Sequence, residues 1–209
     1  MKVIDFIHQQ FIENGHVAYG ERISMAEHMM QSAYFAEKKN STRELIVAAF
    51  LHDFGHLILG LPEDITKNGI DGFHEDIGAD FLRPYLPNSI LDPIQLHVAA
   101  KRYLCTVKPG YMAKLSQASI DTLHVQGGLM NEQEVNQFEA EPYYKDAIQV
   151  RLFDDLGKEE ALVHPSLDYY LALTEQCLTQ TLLVSNNSAN AETPSNNSCC
   201  ADSETTLST

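Results

Sequence analysis

The chain has 209 residues, 44% of them hydrophobic, and a formal net charge of -15. This length fits one domain with a sizeable core, and the negative charge argues against nucleic acid as a partner, because a phosphate-binding surface needs clustered Lys and Arg. The first 15 residues lack the apolar core of a secretory signal and no stretch is apolar enough to span a bilayer, so we expect a cytoplasmic protein without a membrane partner.

Helical periodicity dominates the sequence, and no segment alternates in the way that a half-buried strand does. Breaks rich in Gly, Pro and Asn separate the periodic segments. We therefore predict an all-α helical bundle. The predicted helices are, approximately, Val3–Glu13, Met25–Lys38, Arg43–His52, His74–Leu82, Ile90–Leu104, Leu115–His124, Glu132–Ala140, Tyr143–Leu156 and Leu167–Leu183.

The composition changes at about residue 185. Residues 185–209 contain almost no large apolar side chains, so they cannot offset the entropy lost on ordering. We predict a folded domain over residues 1–184 and a disordered tail over residues 185–209. The four cysteines include no CxxC pair, which indicates neither a zinc ribbon nor a disulfide framework.

Four histidines and two aspartates lie on separate predicted helices or directly beside them. Imidazole and carboxylate are ligands that suit iron, manganese or zinc, and bundles build metal sites where helices converge. Taken singly, several of these histidines are explained equally well by packing; the joint pattern favours a metal site. The candidate ligands are His28, His52, Asp53, His74, His97 and Asp154.

The adjacent pair His52-Asp53 is the strongest part of this pattern, because a buried Asp at the end of an apolar helix is costly without a cation. If Asp53 lies between two ions, His28, His52 and Asp154 complete one of them. His74 and His97 then complete the other, which leaves open positions of the kind that catalytic sites keep.

Cationic side chains are spaced to face the same site. His56 follows His52 by four residues, Lys101 follows His97 by four, and Arg151 precedes Asp154 by three. Cations beside a metal centre are unfavourable unless an anion lies between them, so the three side chains predict a pocket for a phosphoryl or phosphonyl group.

Several stretches resemble the HD-domain mixed-valent diiron oxygenases that cleave carbon–phosphorus bonds. The resemblance covers about residues 20–155 and is most specific at His97–Leu104, Leu115–Leu123 and Gln126–Met130. The other matching stretches are Glu27-His28, His52–His56, Phe73–Glu75 and Arg151–Asp154.

The resemblance implies an HD-domain bundle, two Fe ions in a mixed-valent pair and O2 as co-substrate. It implies a substrate of the 2-amino-1-hydroxyethylphosphonate type, cleaved to phosphate and glycine or an N-methylated glycine. His56 and Lys101 would be catalytic, and Glu21 would face the amine. The implied substrate contacts are Tyr19, Glu21, His56, Lys101, Ser119, Thr122, Gln126 and Arg151.

One position departs from the family. The family places an iron-capping tyrosine three residues before the glutamate, where this chain has Ala18, and the tyrosine is Tyr19 instead. Glu21 with Tyr19 suits a primary ammonium by hydrogen bonding or a quaternary one by charge and cation–π contact. The sequence leaves these two substrates open.

Three other functions compete with this hypothesis. An HD-type phosphohydrolase acting on a nucleotide or phosphate monoester would use the same ligands and cations. A diiron polyol oxygenase would leave Lys101 and Arg151 without an anion to bind. A signalling module with a decayed site is disfavoured, because all six candidate ligands are present.

Overall fold

The computed structural model of the chain describes residues 2–18, 23–59 and 72–189, with side chains described as far as residue 178. In these ranges the chain forms ten α-helices and a short 3-10 turn, and its only β feature is an isolated antiparallel bridge between Ala18 and Ser24. The prediction of an all-α fold is confirmed.

The helices follow one another through short connections. Their bounds are α1 Val3–Asn14, α2 Met25–Lys38, α3 Arg43–Leu51, α4 Phe54–Leu59, α5 His74–Leu82, α6 Asn88–Val107, α7 Gln117–Val125, α8 Glu132–Ala140, α9 Tyr144–Leu156 and α10 Leu167–Ala189. The 3-10 turn, Met112–Lys114, lies between α6 and α7.

The predicted bounds of most other helices differ from the structure by one to three residues, and the two largest differences concern α4 and α10. The short helix α4 was not predicted, because its apolar residues continue those of α3 and periodicity does not reveal the break between them. Helix α10 extends to Ala189 and so includes the first residues of the segment predicted as a tail. Residues 190–209 lie outside the described ranges, and their disorder stays a prediction.

Side-chain caps fix where the site-forming helices begin. The Ser24 hydroxyl accepts from the Glu27 N–H, and the Glu27 carboxylate accepts from the Ser24 N–H, which is a reciprocal capping box at the start of α2. Thr42 caps α3 by a single hydrogen bond, which its hydroxyl accepts from the Leu45 N–H. The first cap places His28 at the end of the first turn of α2.

Stacked aromatic rings fill the centre of the main core. Phe11 of α1 stacks on Phe50 of α3 with ring centroids 4.9 Å apart, and Phe50 stacks on Tyr170 of α10 at 5.3 Å. A smaller apolar cluster joins α6, α8 and α9 around Phe138 and Met130. Burying these large rings is the main stabilising term for such a bundle.

The long helix α6 packs against three other helices, α9, α5 and α3. Helix α2 packs against α3 and α9. The inner faces of these five helices carry most of the buried polar side chains of the described chain. None of the described helices combines the length and the apolarity that crossing a bilayer requires.

Two of the four cysteines lie in the described chain. Cys105 is half-buried and Cys177 is buried, and both are free thiols. Burial raises the pKa of the Cys177 thiol to about 11. Cys199 and Cys200 lie outside the described residues.

Candidate metal centre

The His52-Asp53 pair occupies the break between two helices. Helix α3 ends at Leu51 and α4 begins at Phe54, and the carbonyl of Asp53 accepts from the His56 N–H at 3.0 Å. Because the chain turns at these two residues, both side chains point into the bundle, where each is almost completely buried.

The Asp53 carboxylate lies between two pairs of imidazoles. Its Oδ2 is 3.3 Å from His52 Nε2 and 3.5 Å from His28 Nε2. Its Oδ1 is 3.2 Å from His74 Nε2 and 3.6 Å from His97 Nε2. One oxygen therefore faces each pair, which is the arrangement of a bridging carboxylate.

The ring nitrogens that face away from Asp53 fix the tautomers of the imidazoles. The Nδ1 atoms of His28, His52 and His97 lie 2.8, 2.9 and 2.7 Å from the carbonyl oxygens of Gly157, Ala49 and Ile94. His74 Nδ1 is 3.4 Å from the Glu75 carboxylate. Since a carbonyl oxygen can only accept, the Nδ1 atoms of His28, His52 and His97 carry a proton, and in the neutral ring the Nε2 atom then presents a lone pair.

These lone pairs meet at short distances. The Nε2 atoms of His28 and His52 are 3.2 Å apart, as are those of His74 and His97. Two unprotonated nitrogens and a carboxylate cannot satisfy one another in a dry interior, but a cation between them can be coordinated by all three. The donor set thus fits two metal ions that share Asp53.

Asp154 completes the first group. Its Oδ1 is 3.4 Å from His28 Nε2, and its Oδ2 accepts from Arg151 Nη1 at 2.6 Å. Burial opposes ionisation of this carboxyl, but Arg151 and Lys158 hold its pKa below the usual range. The described residues contain two groups that could each hold an ion, His28, His52 and Asp154 in one and Asp53, His74 and His97 in the other.

Lys101 points into the bundle next to this centre. It is only 3% exposed, and its ammonium donates to Thr122 Oγ1 at 2.7 Å. Burial and the neighbouring charge of Arg151 lower its pKa to about 7. An anion bound beside Lys101 would favour the charged form and compensate for its burial.

Arg151 reaches the same region from α9. Its Nη2 donates to Ser119 Oγ at 3.3 Å and also to the Asp155 carboxylate, and its Nε donates to Tyr111 Oη at 3.2 Å. The structure therefore brings together four of the predicted phosphonate contacts on one side of the metal ligands. They are Lys101, Ser119, Thr122 and Arg151.

His56 lies beside the second metal group, where its ring stacks on that of His74 with centroids 4.1 Å apart. Burial and the neighbouring His74 lower the pKa of His56 to about 3, so the ring is neutral at neutral pH. A neutral imidazole can both donate and accept a hydrogen bond beside the second metal group.

Gln126 lies away from the four clustered contacts. It lines a cavity of about 480 Å³ together with Arg102, Glu75 and Phe73, and its buried Oε1 has no hydrogen-bond partner in the described part of the protein. The predicted amine contacts Tyr19 and Glu21 lie outside the described residues.

Three residues that belong to this site carry no clear signal in the sequence. Lys158 lies four residues after Asp154, a spacing that marks same-face neighbours, but Gly157 ends the helix and obscures the relation. Asp155 lies four residues after Arg151 and accepts from it. Tyr111, which donates to Asp155, comes from the turn before α7 and gives no local signal.

Comparison with known proteins identifies close relatives. The chain is 39% identical to 1-hydroxy-2-(trimethylamino)ethylphosphonate dioxygenase (glycine-betaine-forming) of Leisingera caerulea, over 83% of this chain and 89% of the relative. It is 38% identical to hydroxymethylphosphonate dioxygenase of Gimesia maris, over 79% and 83%. An uncharacterized protein of Acanthamoeba polyphaga mimivirus is 36% identical, over 83% and 80%. No family model matches the chain.

Proposed function

We propose, since the chain belongs to the family of phosphonate dioxygenases, that it is an oxidoreductase that uses O2 to cleave the C–P bond of a 1-hydroxyphosphonate. The structural observation that supports this function most directly is the Asp53 carboxylate between two pairs of inward-facing imidazoles, beside a buried cluster of cationic side chains. This arrangement suits a redox-active metal pair next to a bound phosphorus oxyanion.

The substrate that we propose is a 2-amino-1-hydroxyethylphosphonate, with a primary or an N-methylated amine. The products are phosphate and glycine or its N-methylated form. During the reaction C1 loses its hydrogen and its bond to phosphorus, and the two oxygen atoms of O2 balance the added oxygens of the carboxylate and the phosphate. One proton is released. Because O2 takes up all the electrons that the substrate loses, no further oxidant or reductant is required.

We propose that iron is the metal and that two ions are held by the six buried ligands. His28, His52 and Asp154 would hold one ion, His74 and His97 the other, and Asp53 would bridge them. Two mixed-valent iron ions would supply the one-electron redox steps that an oxidation by O2 needs. The protonated Nδ1 atoms keep the imidazoles oriented for this task.

The side chains around α7 would bind the phosphonate. Lys101, Arg151, Ser119 and Thr122 present ammonium, guanidinium and hydroxyl donors to one region, and His56 adds a neutral imidazole. Gln126 remains a proposed contact. Glu21 and Tyr19 are proposed to hold the ammonium end, which favours amine-bearing substrates over hydroxymethylphosphonate.

Phosphorus NMR of the iron-loaded protein tests this function. The substrates are 2-amino-1-hydroxyethylphosphonate, its N-trimethylated analogue and hydroxymethylphosphonate, each tested with and without O2. We expect phosphate only with O2, and faster turnover of an amine-bearing substrate. Phosphate released from a phosphate monoester without O2, with none from the three phosphonates, would instead establish a phosphohydrolase, which the named relatives do not favour.

A cytoplasmic location remains part of the proposal and rests on the sequence composition. The proposed partner is the small hydroxyphosphonate alone, with no nucleic acid, because the chain carries a net charge of -15.

A further inference from the structure

Lys158 points into the same region as the predicted phosphonate contacts. It follows Gly157 at the end of α9, and its side chain is 13% exposed. Its Nζ lies 3.3 Å from Ser119 Oγ, 3.5 Å from Ser116 Oγ and 3.9 Å from Asp154 Oδ1. Its ammonium is thus directed at the first turn of α7 rather than at solvent.

Three cationic side chains converge on this turn. Lys158 Nζ and Arg151 Nη2 are each 3.3 Å from the same oxygen, Ser119 Oγ. Lys101 binds Thr122, one turn further along α7. Like charges at this spacing repel one another in a largely buried region, and an anion between them would convert the repulsion into attraction.

The guanidinium of Arg151 is already engaged by carboxylates. It donates to Asp154 at 2.6 Å and to Asp155, and its Nε donates to the hydroxyl of Tyr111. Much of its hydrogen-bonding capacity therefore serves to orient Asp154. The two ammonium groups make their shortest described contacts with hydroxyls, namely those of Thr122 and Ser119, and Lys158 also lies 3.9 Å from the Asp154 carboxylate.

We propose that Lys158 is a substrate-binding residue, which together with Lys101 and Ser119 holds the phosphonate of the substrate and the phosphate product. This inference rests on the proposed function for the identity of the substrate, but the same side chains would bind any phosphorus oxyanion. Two ammonium groups match the two negative charges of a phosphonate dianion, and the hydroxyls of Ser116 and Ser119 supply further hydrogen bonds.

Isothermal titration of inorganic phosphate into the metal-loaded protein tests the proposal. The variants are Lys158→Met, which removes the charge and keeps the length, and Lys158→Arg, which keeps the charge. Lys145→Met is the matched control, because Lys145 is an exposed lysine on α9, the helix that precedes Lys158. We expect Lys158→Met to weaken phosphate binding about tenfold, as loss of a charge-assisted hydrogen bond does, and the other two variants to stay within about threefold of wild type.

The KM for the hydroxyphosphonate is the second readout and decides the matter if phosphate binds too weakly for titration. Lys158→Met should raise it about tenfold while metal content and melting temperature stay unchanged. An unchanged phosphate affinity together with an unchanged KM would overturn the role of Lys158.

The two proposals fail in different ways. If the wild-type protein binds phosphate through Lys158 but releases none from hydroxyphosphonates with O2, the proposed reaction is wrong and the anion site stands. If turnover occurs and Lys158→Met leaves both KM and phosphate affinity at wild-type values, the reaction stands and the assignment of Lys158 is wrong.

Discussion

Asp53 is the residue on which both candidate metal groups depend. Its two oxygens face different imidazole pairs at 3.2 to 3.6 Å. We therefore expect Asp53→Ala to lose both metal ions, whereas substitution of a ligand that belongs to only one group should lose one ion. Metal analysis after reconstitution with iron measures this, with Asp80→Ala as an exposed control. Retention of two ions per chain in Asp53→Ala would contradict the bridging role.

Lys101 illustrates a conflict between binding and stability. Burial and Arg151 lower its pKa to about 7 from the model-compound value of 10.5, so the unfolded chain binds this proton more tightly than the folded chain does. This difference destabilises the folded chain by on the order of a few kcal/mol. The destabilisation has its full size below pH 7 and disappears as the pH rises toward 10.5, the pKa of this lysine in the unfolded chain.

Lys101→Met should therefore raise the melting temperature at pH 7 by several degrees in phosphate-free buffer, and the gain should shrink as the pH approaches 10. The same variant should weaken substrate binding and leave iron content intact. Thermal melts from pH 6 to 10, with Lys145→Met as control, measure the difference. A melting temperature below that of wild type would show that Lys101 stabilises the folded chain.

At the scale of elements, the contact between α4 and α5 is set by two glycines. A Cβ on Gly55 would lie 2.0 Å from the carbonyl oxygen of His74, and one on Gly78 would lie 2.9 Å from the Gly55 nitrogen. We expect Gly55→Ala to force the helices apart, to cost about 2–3 kcal/mol of stability, and to displace His74. Melting temperature and metal content measure both effects.

Gly72→Ala is the matched control for this substitution, because a Cβ on Gly72 would meet nothing within 4 Å. If Gly55→Ala keeps the melting temperature and the metal content of the control, the close approach of α4 and α5 does not position His74.

The elements also show what the sequence could and could not predict. The bounds of α2, α5 and α8 match the prediction. Ser24 and Asn131 cap α2 and α8 where periodicity begins, whereas α5 begins at His74 without a side-chain cap. The short helix α4 was missed because its six residues are too few to show a period of their own, and the buried His52-Asp53 pair at the break was interpreted as the end of α3. At the site, contacts between distant segments, such as Tyr111 with Asp155, depend on tertiary packing and have no local pattern.

At the scale of the whole molecule, the net charge of -15 opposes the approach of a dianionic substrate. Raising the salt concentration from about 0.01 to 0.15 M shortens the Debye length from about 30 to 8 Å, which screens the surface more than the buried cations. We expect kcat/KM for hydroxymethylphosphonate to rise about two- to fivefold over this range. The trimethylammonium substrate, with one negative charge less, should respond less; a steady fall for both would contradict this account.

The acceptors of the histidine Nδ1 protons have a consequence for how related proteins can diverge. In the described contacts, three of the four imidazoles are anchored by main-chain carbonyls, which every amino acid supplies, so replacing the acceptor residue leaves their electron donation largely unchanged. His74 Nδ1 instead faces the Glu75 carboxylate at 3.4 Å. A substitution at position 75 would therefore change the charge beside one proposed metal ligand and leave the anchors of the other three imidazoles unchanged, so position 75 is a place where related proteins can differ in the electron donation of a single ligand.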